Sequence, residues 1–403
     1  MKNVIIIGGG VAAVNAMKAI RELDPEINII AICKEAVYPY FRTRLTKSLF
    51  ENLDADKILL QKKEWYEQNK IQLHLSKEVV SIDTEHRTIG LNDGDRLCYD
   101  KLLLANGANN FKPQIDGIDK ENVLTIRNYK DVQTIKEHVG DKKTILHIGG
   151  GIQNLEAAWA MCSQGKEVII AEFMDRLMPR QLDVRASEIL KRAVESSNVK
   201  VNLSTQIVEL TGDNQVTGAR TKNSEIISCN MVIYSVGIRP NIKLYEATVI
   251  QMNHGVIVDD HLRTNIENIY AAGDIAEFEG RVGGLWPIAM EQGKIAGYNI
   301  AGKSATYTSI MPVTTMNAFN LSVFSIGNID ENSNSLTIID DPEDGTNYRR
   351  IFIRDDIVIG AIIIGDTKNN QLIKRFVENK TLIADIDFTH ITADDLLMKL
   401  KNL

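Results

Sequence analysis

An apolar, β-branched run covers residues 2–7, breaks at Gly8-Gly9-Gly10 and gives way to an Ala-rich segment reaching Glu22, with apolar positions at helical spacing. A second apolar run follows at 27–33. Short apolar runs of this kind form buried strands, and the 3.6-residue period between them is that of a helix, so the pattern predicts a βαβ unit. The same order recurs at 143–148, Gly149-Gly150-Gly151, 154–164 and 168–171. A supersecondary unit present twice predicts two dinucleotide sites.

Between these units, 91–98 is polar and turn-like, and 99–108 reads as a buried strand ending in a tight glycine turn. Residues 113–117 look like a crossing into a second domain, and a return strand at 231–236 ends in Gly237-Ile-Arg-Pro-Asn241. Residues 255–274 and a helix beginning near Trp286 then rejoin the first domain. From about Tyr307 onward, short β-rich stretches and a polar helical tail form a third unit. The predicted fold class is α/β, with two Rossmann-like domains, 1–110 with 239–306 and 111–238, plus a C-terminal α+β domain, 307–403.

Composition narrows the function classes. With 44% hydrophobic and 25% charged residues the 403-residue chain is ordinary globular protein, and a net charge of -7 argues against a nucleic-acid surface, which needs a basic excess. Cys33, Cys98, Cys162 and Cys229 are scattered without a CxxC pair, so neither an iron-sulfur ligand set nor a redox disulfide is read from spacing; idle thiols in a reducing cytosol are expected. His74, His86, His138, His147, His254, His261 and His390 show no HxxxH or HxH spacing, and no metal is expected. The N-terminus passes directly into a glycine turn without a signal-peptide apolar region, and the longest apolar stretch, 357–365, is too short to span a bilayer. These features lead to the expectation of a cytoplasmic protein without membrane insertion.

Each glycine turn has a chemical reading. In Gly8-x-Gly10-x-x-Ala13 the first glycine permits the turn, the second lets backbone amides approach a pyrophosphate, and the small third residue lets helix pack on strand. Glu35, after the next strand, is placed to accept from adenosine ribose hydroxyls. Gly149 and Gly151 repeat the pattern, and Glu172 is the matching acceptor, an acid that disfavours the 2'-phosphate of NADP.

The segments EAVYPYFRTRLTK at 35–47, LLLANGA at 102–108 and TNIENIYAAGD at 264–274 resemble the flavoprotein reductases of the pyridine nucleotide-disulfide oxidoreductase superfamily, with glutathione-reductase-like architecture. Within it, the likeness is to NADH:rubredoxin oxidoreductases and the FAD module of nitrite reductases. PVTTM at 312–316 and IVIGAIIIGDT at 357–367 resemble the C-terminal domain of that subgroup.

The resemblance implies FAD on the first domain and NAD on the second. Asp274 is then expected to accept from the FAD ribitol chain, with Gly273 giving backbone room; the structural alternative for Asp274 is a helix N-cap. Arg42 is expected at the FAD phosphates and Lys47 at the flavin N5 edge, while Arg44 is equally a solvated charge. The helix after Trp286, with Glu291, Gln292 and Gly293, is expected to aim its positive end at flavin N1/O2. Val79, Ala105, Gly107 and Gly237 are further expected cofactor-binding positions. Lys47 and Glu156 are expected to form a catalytic ion pair beside N5.

One departure stands out: relatives usually carry glycine where this chain has Asn154, whose larger side chain is expected to push the helix away, obstruct the pyrophosphate or donate a hydrogen bond to it. Disulfide-reducing and peroxide-reducing relatives carry a reactive cysteine in the segment matching 40–49, and this chain has none. What is left is hydride transfer from NADH to FAD, then electron donation to a small electron-carrier protein, rubredoxin or a ferredoxin-type iron-sulfur protein. The alternatives are an FAD electron-transfer subunit of a larger complex with a weak or unused NAD site, and an oxygen-reducing NADH oxidase.

Overall fold

The computed structural model of the chain describes residues 2–51, 54–331, 336–342, 345–383, 388 and 391–401. They form two compact units: 1–111 with 237–309, and 112–236 with 310–403.

In the first unit, Asn3–Ile7 is the central strand of a five-stranded parallel sheet, flanked by Asn28–Cys33 and Lys101–Leu104, with Ile71–Leu75 and Ile269–Ala271 at the edges. Strands covered on both faces read as unbroken apolar runs, which is why Val4 through Ile7 are all buried. The crossover helix Val11–Leu23 lies against the helix Trp286–Ala301. A Cβ on Gly293 would stand 2.2 Å from the Ala12 carbonyl oxygen, so only glycine admits this approach of the two backbones. A small antiparallel sheet, Val79–Asp83, Thr88–Leu91 and Arg96–Cys98, a second three-stranded sheet, Val256–Val258, Ala276–Phe278 and Arg281–Val282, and the pair Ala108–Asn110 with Ile238–Pro240 complete the unit's β-structure.

The second unit repeats this plan. Thr144–Ile148 pairs in parallel with Glu167–Ala171 and Met231–Tyr234, with Val199–Asn202 and Val123–Leu124 outside them, and an antiparallel sheet is built from Ile207–Thr211, Gly218–Thr221 and Ile226–Ser228. Leu146 and Ile148 join an apolar cluster with Ile169, Ala171 and Val232. Alternation therefore sends Ile145 and His147 to the opposite face, toward the helix Ile152–Ser163.

The C-terminal part is a five-stranded antiparallel sheet in the order Val313–Ala318, Leu321–Gly327, Ile357–Ile364, Tyr348–Arg354, Leu336–Asp340. Ile373, Phe376, Leu396 and Leu400 of the helices Asn370–Asn379 and Ala393–Lys401 share its core. Buried Asp183, the N-cap of Val184–Ser196, accepts from Tyr348 Oη at 2.6 Å and Arg350 Nη1 at 3.0 Å, tying this sheet to that helix of the same unit. Among the described residues no helix is long and apolar enough to cross a membrane, and the 357–365 stretch is occupied by a sheet strand.

Candidate cofactor sites

At the first turn Gly8 has φ +125°, and a Cβ there would sit 2.2 Å from the carbonyl oxygen of buried Ala105. Gly10 is the N-cap of Val11–Leu23, without a side-chain cap and without an acid in the helix's first turn, and a Cβ on it would meet nothing within 4 Å. Ala13 is fully buried. The second turn matches: Gly149 has φ +107° with a Cβ position 2.5 Å from Ser235 O, and Gly151 is the uncapped N-cap of Ile152–Ser163 with open space before it. In the nucleotide half of this unit the other two helices are capped by side chains, Tyr129–Val139 by Asn128 and Val184–Ser196 by Asp183, while Asn370–Asn379 of the C-terminal part has no side-chain cap. Uncapped N–H groups, a positive helix end and an open glycine are the fit an anionic pyrophosphate requires, and both turns meet it.

Around the first turn the expected residues contact one another. Glu35 accepts from Tyr40 Oη at 2.7 Å and pairs with Arg42, whose guanidinium also lies 5.2 Å from the Tyr40 ring centre. The sequence reading assigned Glu35 to the ribose and Arg42 to the phosphates; in the fold each is the other's partner, because the chain turns back within seven residues. Burial pulls the Arg42 pKa down, but Tyr40, Glu35 and Asp274 outweigh it and hold it above its ordinary value. Asp274 thus shares one electrostatic cluster with Arg42. It lies in the turn before the strand Ala276–Phe278, so the helix N-cap alternative is corrected: Leu285 holds that place.

Gly273 donates its N–H to Oε1 of buried Gln292 at 2.8 Å, which fixes the turn to the helix Trp286–Ala301. Glu291, half-buried on the same helix, lies 4.0 Å from Lys294. Trp286 stacks on Phe41 at 5.7 Å and is a partly buried surface aromatic. Gly107 accepts from Asn241 N, Gly237 accepts from Phe111 N, and Val79 is buried at the start of its strand. Lys47 is exposed in the first unit, and Glu156 is buried on its helix in the second.

Burial pushes the Cys33 thiol up to about 12, with Glu35 adding to it and Arg42 opposing, and burial alone does the same to Cys229. Both stay protonated at neutral pH and are poor nucleophiles. Cys162 is half-buried and Cys98 exposed, and all four cysteines are free. Asp259, Asp260 and His261 bring ligand atoms within 4.8 Å of one another at the surface, a grouping that the histidine spacing did not reveal. His390 lies outside the described residues.

At the second turn, sequence reasoning missed a partner. Asn154 is 1% exposed, and its Nδ2 donates to the carbonyls of Ile148 at 2.7 Å and Gly149 at 2.8 Å. Its Oδ1 faces His147 Nδ1 at 3.0 Å. Both amide hydrogens are used on the turn itself, so none is left for a pyrophosphate, and the side chain lies beneath the turn rather than in front of it. His147, fully buried, is the donor to Asn154, which leaves Nε2 deprotonated and without a partner among the described residues. Burial drives the His147 pKa down to about 4, against the Asn154 hydrogen bond, which raises it. Glu172 accepts from Gly150 N–H and, at 2.7 Å, from Met174 N–H.

Residues 2–293 match the family described as pyridine nucleotide-disulphide oxidoreductase, and 312–381 match the rubredoxin NAD+ reductase C-terminal domain. The chain belongs to the pyridine nucleotide-disulphide oxidoreductase family. The expected fold class is borne out, and with it the enzyme class, an NAD(P)H-dependent FAD oxidoreductase. Among curated relatives, the chain is 33% identical over 95% of its length to a nitrite reductase [NAD(P)H] of Bacillus subtilis, but spans only 48% of that protein. To an NADH-rubredoxin oxidoreductase of Clostridium acetobutylicum it is 30% identical, covering 95% of this chain and 96% of the relative. The crystal structure of NADH:rubredoxin oxidoreductase from Clostridium acetobutylicum superposes with a TM-score of 0.81 at 29% identity, covering all of both chains.

Proposed function

We propose that the chain takes electrons from NADH, holds them on FAD and passes them to a small electron-carrier protein, a rubredoxin or a ferredoxin-type iron-sulfur protein, in the cytoplasm. The observation that carries this reading is the repeated open glycine turn, one per unit, in a chain that also has a rubredoxin NAD+ reductase C-terminal domain. When bound, FAD supplies the step from two-electron hydride transfer to one-electron donation. Residues 1–110 and 239–306 hold FAD through Gly8, Gly10, Ala13 and the Glu35–Arg42–Asp274 cluster; residues 111–238 hold NADH through Gly149, Gly151 and Glu172. Lys47 and Glu156 are proposed as the catalytic pair on their likeness to family positions: the ammonium favours the electron-rich reduced cofactor, and the carboxylate balances it otherwise.

The test is anaerobic NADH titration of the FAD-loaded protein, then stopped-flow mixing of the reduced form with purified rubredoxin and with a ferredoxin. Rapid bleaching and a fast acceptor are expected; bleaching without any fast iron-protein acceptor overturns the partner. A second reading, an electron-transfer module of a larger assembly, is favoured by the partial coverage of the nitrite reductase. Failure of NADH to bleach the flavin, with reoxidation by a downstream centre intact, selects it.

A further inference from the structure

The peptide joining Gly149 to Gly150 is gripped at both ends. Asn154 Nδ2 donates to its carbonyl at 2.8 Å from beneath, and its N–H donates to the Glu172 carboxylate on the other side. In the first turn the Gly8–Gly9 peptide receives no side-chain hydrogen bond among the described residues. Strand register explains the difference. Ile7 pairs with Ile32 and Ile148 with Ala171, so Cys33 and Glu172 occupy matching places, as do Ile6 and His147, and Ala13 and Asn154. An apolar pair in one turn is replaced by a hydrogen-bonded pair in the other.

Resting on the NADH assignment above, we infer that Asn154, oriented by His147, is a positioning residue for the nicotinamide dinucleotide: it fixes the Gly149–Gly150 peptide, and through that peptide's N–H it fixes the carboxylate of Glu172 that reads the ribose. A trans peptide is planar, so holding the carbonyl sets the direction of the N–H. Glu172 accepts from that N–H and from Met174, which leaves one lone pair on each oxygen for ribose hydroxyls in a set orientation. His147 has one role here, donating Nδ1–H to Asn154 Oδ1 so that the amide cannot flip; a flipped amide would set its oxygen against two carbonyls.

The test uses the FAD-loaded protein and the variants Asn154→Ala, His147→Ile and the double His147→Ile/Asn154→Ala, which rebuilds the apolar pair of the first turn. Three quantities are read: binding of NAD+ and NADP+ by calorimetry, the flavin reduction rate at saturating NADH, and the unfolding midpoint. Asn154→Ala is expected to weaken NAD+ about tenfold, the scale of one or two buried hydrogen bonds, and to narrow the preference over NADP+. Its saturated reduction rate and FAD content stay unchanged. The double variant is expected to recover the unfolding midpoint, because no imidazole donor is left unmet, while NAD+ binding stays weak. Unchanged or tighter NAD+ binding in Asn154→Ala overturns the inference, and so does affinity that recovers together with stability in the double variant, which would reduce the pair to packing. An unmodified protein that binds no NAD+ overturns the functional reading and this inference together, whereas the two preceding outcomes overturn the inference alone.

Discussion

The two glycine turns trace one path and are held in place by different forces. Behind the first, Ile6 and Ala13 are apolar and fully buried, and the helix that follows is pressed against Trp286–Ala301 through Gly293 on Ala12 and Gly297 on Ala16. Behind the second, His147 and Asn154 form a buried polar pair, and Gln153, matching Ala12, reaches Ile126 O at 2.6 Å and Ser235 Oγ at 2.8 Å. Close apolar packing is sensitive to volume and indifferent to pH, whereas a buried hydrogen-bonded pair is sensitive to protonation and to the loss of either partner. One backbone motif can therefore be stabilised by contact or by polarity, and the two versions fail under different perturbations.

The largest effect tests whether each turn serves its own cofactor. Gly8→Ala sets a methyl group 2.2 Å from Ala105 O at φ +125°. Backbone strain and overpacking together should cost about 4 kcal/mol, seen as a lowered urea midpoint and loss of FAD. Gly149→Ala should abolish NADH reduction while the flavin is retained, and loss of the flavin from Gly149→Ala would break the separation.

Next comes pH. The folded pKa of His147 lies near 4, below the ordinary 6.5, so the unfolded chain binds the extra proton first. This group's contribution is then intact above pH 6.5 and lost as pH falls toward 4, by roughly 3 kcal/mol in all. Unfolding midpoints measured across that window should fall less steeply in His147→Ile; the same slope in both proteins would mean that the imidazole is not buried neutral.

Glu172→Ala removes an acceptor of the Gly150 and Met174 amides, and the NADH-over-NADPH preference should shrink about tenfold, read from the ratio of kcat/KM values. A preference that survives intact assigns the discrimination to another residue. The smallest effect is expected at the first turn's own acid. Glu35 and Arg42 keep 27% and 29% of their side-chain surface exposed, so Glu35→Gln should change stability by less than about 1 kcal/mol. FAD retention then reports separately on whether the cluster touches the cofactor.

The sequence by itself determined the two βαβ units, their glycine turns, a return strand read as 231–236 and found at 231–234, the helix beginning at Trp286 and the β-rich character of the C-terminal part, whose antiparallel order came from the structure. Each of these is written in local periodicity and in glycines that no other residue can replace, information carried by neighbours along the chain. Only the tertiary structure decided what the polar side chains do. Asn154 read from the sequence as an obstruction or as a donor to the pyrophosphate; the strand-turn-helix path places it under the turn, against a histidine seven residues earlier that spacing had marked only as no metal ligand. The pairing of Glu35 with Arg42 was likewise invisible until the reversal at 35–42 brought them into contact. Apolar burial is specified by pattern because it is non-directional, whereas a hydrogen bond needs a particular donor, acceptor and angle, which exist only once the backbone has turned.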